Sequence, residues 1–86
     1  MKNKVLIKLY IPEYELTYDL FIPANEFIWK VKEIIIKSIN DLENLKLDPK
    51  ESFILVNKDN GTIYDANELV SKTDIRNASE LLFISN

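Results

Sequence analysis

The segment Lys4-Val5-Leu6-Ile7-Lys8-Leu9-Tyr10-Ile11 alternates along its whole length. Val5, Ile7, Leu9 and Ile11 fall on one side of an extended chain, and Lys4, Leu6, Lys8 and Tyr10 on the other. A period of two over that length is a strand with one buried face. Pro12-Glu13 interrupts it as a turn does. A second alternation then runs from Tyr14 to Ile22, with Leu16, Tyr18, Leu20 and Ile22 inward and Glu15, Thr17 and Asp19 outward. A short connection between adjacent alternating runs predicts an antiparallel hairpin.

Pro23 closes the second strand because it cannot donate to a ladder, and Asn25 is the expected N-cap of the helix that follows. Wound at about 100° per residue, residues 25–42 gather Ile28, Val31, Ile35, Ile39 and Leu42 into one stripe. Glu26, Lys30, Glu33, Lys37 and Asp41 lie opposite, with Glu26/Lys30 and Glu33/Lys37 at the favourable i,i+4 spacing. Phe27 and Ile34 widen the apolar arc on one flank, Trp29 and Ile36 on the other. The Trp29/Ile36 edge is expected to cover the sheet edge or the 44–51 loop; a second contact surface is the alternative.

Beyond the helix, Asn44 to Glu51 reads as a polar connection containing Pro49. Phe53-Ile54-Leu55-Val56 is a third strand. Asp59-Asn60-Gly61 is a turn, since Asn-Gly readily takes positive φ, and Thr62-Ile63-Tyr64 a short fourth strand. Glu68-Leu69-Val70 fits one helical turn, Ile75 an isolated core plug, and Leu81 to Ile84 the last strand. No internal repeat or linker is present, so residues 1–86 read as a single domain.

Composition excludes several chemistries. The chain has neither cysteine nor histidine, which removes disulfides, thiolate sites and the commonest general base. Net charge is −3 with both signs interspersed, which argues against nucleic acid as the main partner. The apolar start at Val5 is broken by Lys8 and Pro12, so neither a leader nor a membrane insertion is expected, and the reading is soluble and cytoplasmic. Ser71-Lys72 and Lys37-Ser38 are only sequence neighbours, with no sign of an oxyanion hole. Asp59, Asp65 and Glu68 form a local acid cluster, but an EF-hand loop with Gly61 in sixth place would need an acid at Val56. No glycine-rich phosphate loop exists. The expectation is no enzyme, no catalytic or metal site, no cofactor and no small-molecule substrate.

The order strand, strand, helix, strand, short strand, turn, strand resembles the β-grasp, and the chain resembles ubiquitin over essentially its whole length. The helix spacing of Ile28, Val31 and Ile35 and the run of Ile75, Leu81 and Phe83 carry the likeness. The resemblance implies an α+β fold with a mixed sheet of four to five strands and one helix packed across it. It also implies that Lys32, directly after Val31, is buried and paired with Asp65. The alternative is that Lys32 snorkels its ammonium to water.

Among ubiquitin-like families the chain looks most like the tail-less bacterial proteins of the YukD/EsaB group, encoded with type VII (WXG100-type) secretion systems. The features are the length, the lysine-flanked first strand, Val56-Asn57-Lys58-Asp59 leading into the turn, and the end just after the last strand. This implies a cytoplasmic accessory factor that binds other proteins and catalyses nothing. Some type VII membrane components carry a similar domain. The competing reading, a modifier or sulfur carrier, needs a C-terminal Gly-Gly tail; the only glycine is Gly61 and the sequence ends Ser85-Asn86.

Strand parity points to the open sheet face as the protein-binding surface, toward a secretion-machinery component or a second copy. Lys4, Leu6, Lys8 and Tyr10 are expected beside Leu82 and Ile84, with Ile54 from the third strand, as an apolar centre ringed by lysines.

Overall fold

The structure, a computed structural model, describes residues 3–48 and 51–85. Its strands are β1 (Lys4–Ile11), β2 (Leu16–Pro23), β3 (Phe53–Asn57) and β4 (Glu80–Ser85), with one α-helix, α1 (Ile28–Glu43). The sheet order is β2-β1-β4-β3. β1 runs antiparallel to β2 and parallel to β4, and β3 runs antiparallel to β4. A mixed sheet with a parallel central pair and a helix across one face is the expected β-grasp.

The inward residues form the core. Ile7, Leu9 and Ile11 of β1 meet Leu55 of β3, Leu81 and Phe83 of β4, and Ile28, Val31, Ile35, Ile36 and Ile39 of α1. The Phe53 and Phe83 rings stack with centroids 4.5 Å apart, a diagonal cross-strand contact. Ile75 is buried, as expected of a plug, and Val5, Leu16, Tyr18 and Leu20 pack partly buried against this core.

Five expectations change. The helix begins at Ile28 and not at a cap on Asn25: Phe27 occupies the N-cap position in extended conformation and bridges to Leu69. The first helical N–H groups are satisfied by another loop, Ile28 donating to the Glu68 carbonyl at 2.9 Å and Trp29 to the Ala66 carbonyl at 3.1 Å. Orphan donors at a helix start need partners, and here tertiary contact supplies them in place of a local side chain. Leu42, placed in the stripe, is 63% exposed in the last turn of the helix, whereas Ile36 is buried. Lys30 pairs with Glu33 at 3.6 Å, three residues on. The short fourth strand reduces to one bridge, Val56 to Ile63, so the sheet has four strands. The expected turn at Glu68–Val70 lies slightly later, as a 3-10 turn at Val70–Lys72.

Asn57 holds the 57–64 turn together. Its side-chain oxygen accepts from the N–H groups of Asp59 (2.8 Å) and Asn60 (3.3 Å), and its amide donates to the Tyr64 hydroxyl at 3.1 Å. The buried Tyr64 donates in turn to Asp74 at 2.5 Å, and Asn60 reaches the other Asp74 oxygen at 3.2 Å. Gly61 closes the turn at φ +76, where its missing Cβ removes the steric penalty.

Two measurements test this packing. Ile35→Ala should cost about 2–5 kcal/mol in chemical denaturation, and Leu42→Ala less than about 0.5 kcal/mol; similar costs would contradict the burial difference. Burial and the Asp74 carboxylate push the Tyr64 phenol up from 10.0 to about 12. A raised pKa favours the neutral phenol in the fold, so its stabilisation is complete below pH 10 and fades as pH rises toward about 12. Asp74 is lowered from 3.8, chiefly by the Tyr64 hydrogen bond, so its stabilisation fades as pH falls below 3.8. Tyr64→Phe should flatten part of both arms of the stability profile.

Candidate functional site

The face of the sheet turned away from α1 carries every residue singled out for protein binding. Lys4, Leu6 and Lys8 are exposed, and Tyr10, Ile54, Leu82 and Ile84 are half-buried. Alternation places Lys4, Leu6, Lys8 and Tyr10 on this side, because successive side chains of a strand point to opposite faces. Ile54, Leu82 and Ile84 lie in uniformly apolar runs, and their parity is set by Leu55, Leu81 and Phe83 turning into the core. Phe21, outward by the same parity and 64% exposed, belongs to the face as well. The regular alternation of β2 would have found it.

Register arranges these residues in rows. Phe21 pairs with Leu6, whose carbonyl accepts from the Ala78 N–H at 2.8 Å. In the next row Asp19 pairs with Lys8 and Lys8 with Glu80; the Lys58 N–H donates to the Glu80 carbonyl at 2.9 Å. The row after that is Thr17, Tyr10, Leu82 and Val56. Last comes Ile84 beside Ile54, where the Pro12–Tyr14 turn replaces β1 and Glu13 accepts the Ser85 N–H at 2.7 Å.

The expected single apolar centre is therefore divided. Asp19, Lys8, Glu80 and Lys58 form a row of alternating charge across the sheet. On one side lie Phe21 and Leu6, on the other Tyr10, Leu82, Ile84 and Ile54. Opposite charges on neighbouring strands attract, and this row is further tied to the second field. The Tyr10 hydroxyl donates to Glu80 at 3.0 Å, the Lys58 ammonium lies 3.5 Å from the same carboxylate, and it stands 5.0 Å over the Tyr10 ring. The Tyr10 hydrogen bond, then the Lys58 charge, hold the Glu80 carboxyl below its ordinary range. A cavity of about 300 Å³ opens over the row between Leu6, Lys8, Asp19, Ala78 and Glu80.

The Lys32–Asp65 pair does not form. From α1 Lys32 reaches the start of β3, where its ammonium donates to the Phe53 carbonyl at 3.1 Å. Asp65 accepts the Asn67 N–H at 2.8 Å, and its own N–H donates to Glu68 at 2.9 Å. The short segment after Tyr64 spends its acids on its own backbone. The Trp29/Ile36 edge also separates, since Ile36 joins the core while Trp29 stays 46% exposed. Among the described residues no group of three or more acidic side chains is placed to hold a metal ion, and no helix is long and apolar enough to cross a membrane.

No family model and no curated protein matches the chain. Solved structures do. A chain of the ESX-5 inner membrane complex (MycP5-free, State II) superposes with a TM-score of 0.76 at 15% identity, over 98% of this chain. The present chain spans only 22% of that one. A chain of the toluene 4 monooxygenase HD complex gives 0.73 at 10% identity, covering 96% of this chain and 99% of the other. The ubiquitin-like domain of Plasmodium falciparum Dsk2 gives 0.71 at 10% identity, again over 96% and 99%. Likenesses at this level of identity establish the fold, an α+β ubiquitin-like β-grasp, which by itself carries many functions.

Lys32 and Asp65 can be separated by mutation. Asp65→Asn should change stability by less than about 0.5 kcal/mol, and Lys32→Met should cost about 1 kcal/mol by stripping the Phe53 carbonyl of its donor. Equal losses in denaturant titrations would reinstate the pair.

Proposed function

We propose that this chain is a non-enzymatic protein-interaction module and a cytoplasmic accessory of a bacterial type VII secretion system. The sequence resemblance to the YukD/EsaB group supports the assignment. The fold it shares with a chain of the ESX-5 inner membrane complex is in keeping with it.

The observation that carries the interaction role is the field of Tyr10, Leu82, Ile84 and Ile54. It is half-buried, contiguous through register, and bordered by the charged row. Apolar surface of this kind, rimmed by polar groups, is what partners cover. The rim gives a partner orientation through charge complementarity, and the apolar field gives affinity. The partner is a component of the secretion machinery. The second field, Phe21 and Leu6, lies across the charged row and is a separate contact.

Ile84→Asp should reduce the recovery of identified secretion-machinery components, in pull-downs from the native host, by at least about tenfold. Leu6→Asp should reduce it much less. Both variants should keep the parent circular dichroism spectrum. Undiminished recovery with folded Ile84→Asp would remove this surface from the proposal.

A further inference from the structure

Backbone N–H and C=O groups at a sheet edge must find partners or face water. The two edges of this sheet are treated differently. Along β3 the Phe53 carbonyl accepts from the Lys32 ammonium at 3.1 Å and the Leu55 carbonyl from the Tyr64 N–H at 3.0 Å. The Asn57 N–H donates to the Thr62 carbonyl at 2.8 Å, and its carbonyl accepts from the Gly61 N–H at 2.8 Å.

Among the described residues β2 has no such cover. The Ala24 N–H donates to the Asn3 carbonyl at 2.7 Å, just beyond the Lys4↔Pro23 pair. Antiparallel ladders alternate hydrogen-bonded with non-bonded pairs, so Ile22, Leu20, Tyr18 and Leu16 turn their backbone groups toward β1. Thr17, Asp19 and Phe21 turn theirs away from the sheet, and all three residues are exposed. Pro23 belongs to the same outward set but lacks an N–H, which ends the usable edge.

Natural edges are commonly blunted by lysine, proline or a bulge. The middle of β2 has none of these. What it has is acid: from Leu9 to Trp29 the chain holds Glu13, Glu15, Asp19 and Glu26 and no lysine or arginine. Glu43 at the end of α1 reaches the same strand, accepting from the Tyr18 hydroxyl. A second copy of β2 would bring only further acid to this edge, and like charges across a ladder repel. An extended segment carrying lysine or arginine meets the opposite condition. Its basic side chains would face Asp19, and its apolar ones the exposed Phe21 ring.

We infer that β2 is a strand-addition site, taking an extended, lysine- or arginine-bearing segment of a partner protein through the backbone groups of Thr17, Asp19 and Phe21. The site shares Asp19 and Phe21 with the open face, but its backbone pairing along the β2 edge distinguishes it from the contact proposed above.

The test is an NMR titration of the full isotope-labelled chain with an end-capped peptide of alternating lysine and valine. Two controls are a twin with glutamate for lysine and a twin N-methylated at alternate amides. At saturation the lysine peptide should slow amide exchange at Thr17, Asp19 and Phe21 by at least about tenfold. The glutamate twin should bind at least about tenfold more weakly, the N-methylated twin should not protect these amides, and Asp19→Lys should reverse the charge preference. The inference is overturned by equal binding of the two charged peptides. Saturation without protection of the three amides, or shifts confined to Leu82, Ile84 and Ile54, would overturn it too. Protection that grows with protein concentration in the absence of peptide would give the edge to a second copy instead.

Discussion

The parallel pairing of β1 with β4 is the contact on which the rest of the molecule depends. Only Lys8, Leu9 and Tyr10 face Glu80, Leu81 and Leu82 in the ladder. Flanking bonds, Lys8 N–H to the Ser79 carbonyl and Ala78 N–H to the Leu6 carbonyl, extend it. This short seam joins two antiparallel pairs, β2 with β1 and β4 with β3, into one sheet. It brings the first and last segments of the chain together, a closure whose entropy cost the burial of Leu9, Leu81 and Phe83 helps to offset. It also sets the stagger of everything on the opposite face.

From that stagger follows the division of the open face. A shift of β4 by two residues along β1 would keep every core side chain inward yet place Leu82, not Glu80, beside Lys8. The alternating row of Asp19, Lys8, Glu80 and Lys58 exists only in the observed register, and favours it in turn through the Tyr10–Glu80 and Lys58–Glu80 contacts. Surface electrostatics and core packing thus agree on one pairing, which is how a small sheet avoids slipping.

Lys32 shows how a family likeness can place a residue and miss its partner. Its position after Val31 put it at the margin of the apolar stripe, and the structure does find it partly buried. Its ammonium, however, covers a carbonyl at the edge of β3. Asp65 instead engages the Asn67 N–H, a contact that depends on how the segment after Tyr64 folds back and so leaves no local trace in the sequence. The helix start departs from its local signal for a related reason. Asn25 is a good local cap, but the carbonyls of Ala66 and Glu68, some forty residues away, reach the first turn and make a local cap unnecessary.

Alternation in Lys4–Ile11 and Tyr14–Ile22 was enough by itself to sort those residues between the core and the open face, and so to select Lys4, Leu6, Lys8 and Tyr10. Ile54, Leu82 and Ile84 lie in runs that are apolar on both sides, and an assumed strand parity placed them. That information is local, because the period of a strand is a property of its own backbone. Which of those residues are neighbours was decided only by tertiary structure, since lateral contacts depend on the register between strands far apart in the chain. So did the contrast between a covered β3 edge and a bare β2 edge. Hydrogen bonds with Lys32, Thr62 and Tyr64 cover the first, while among the described residues no hydrogen bond reaches the outward backbone groups of the second.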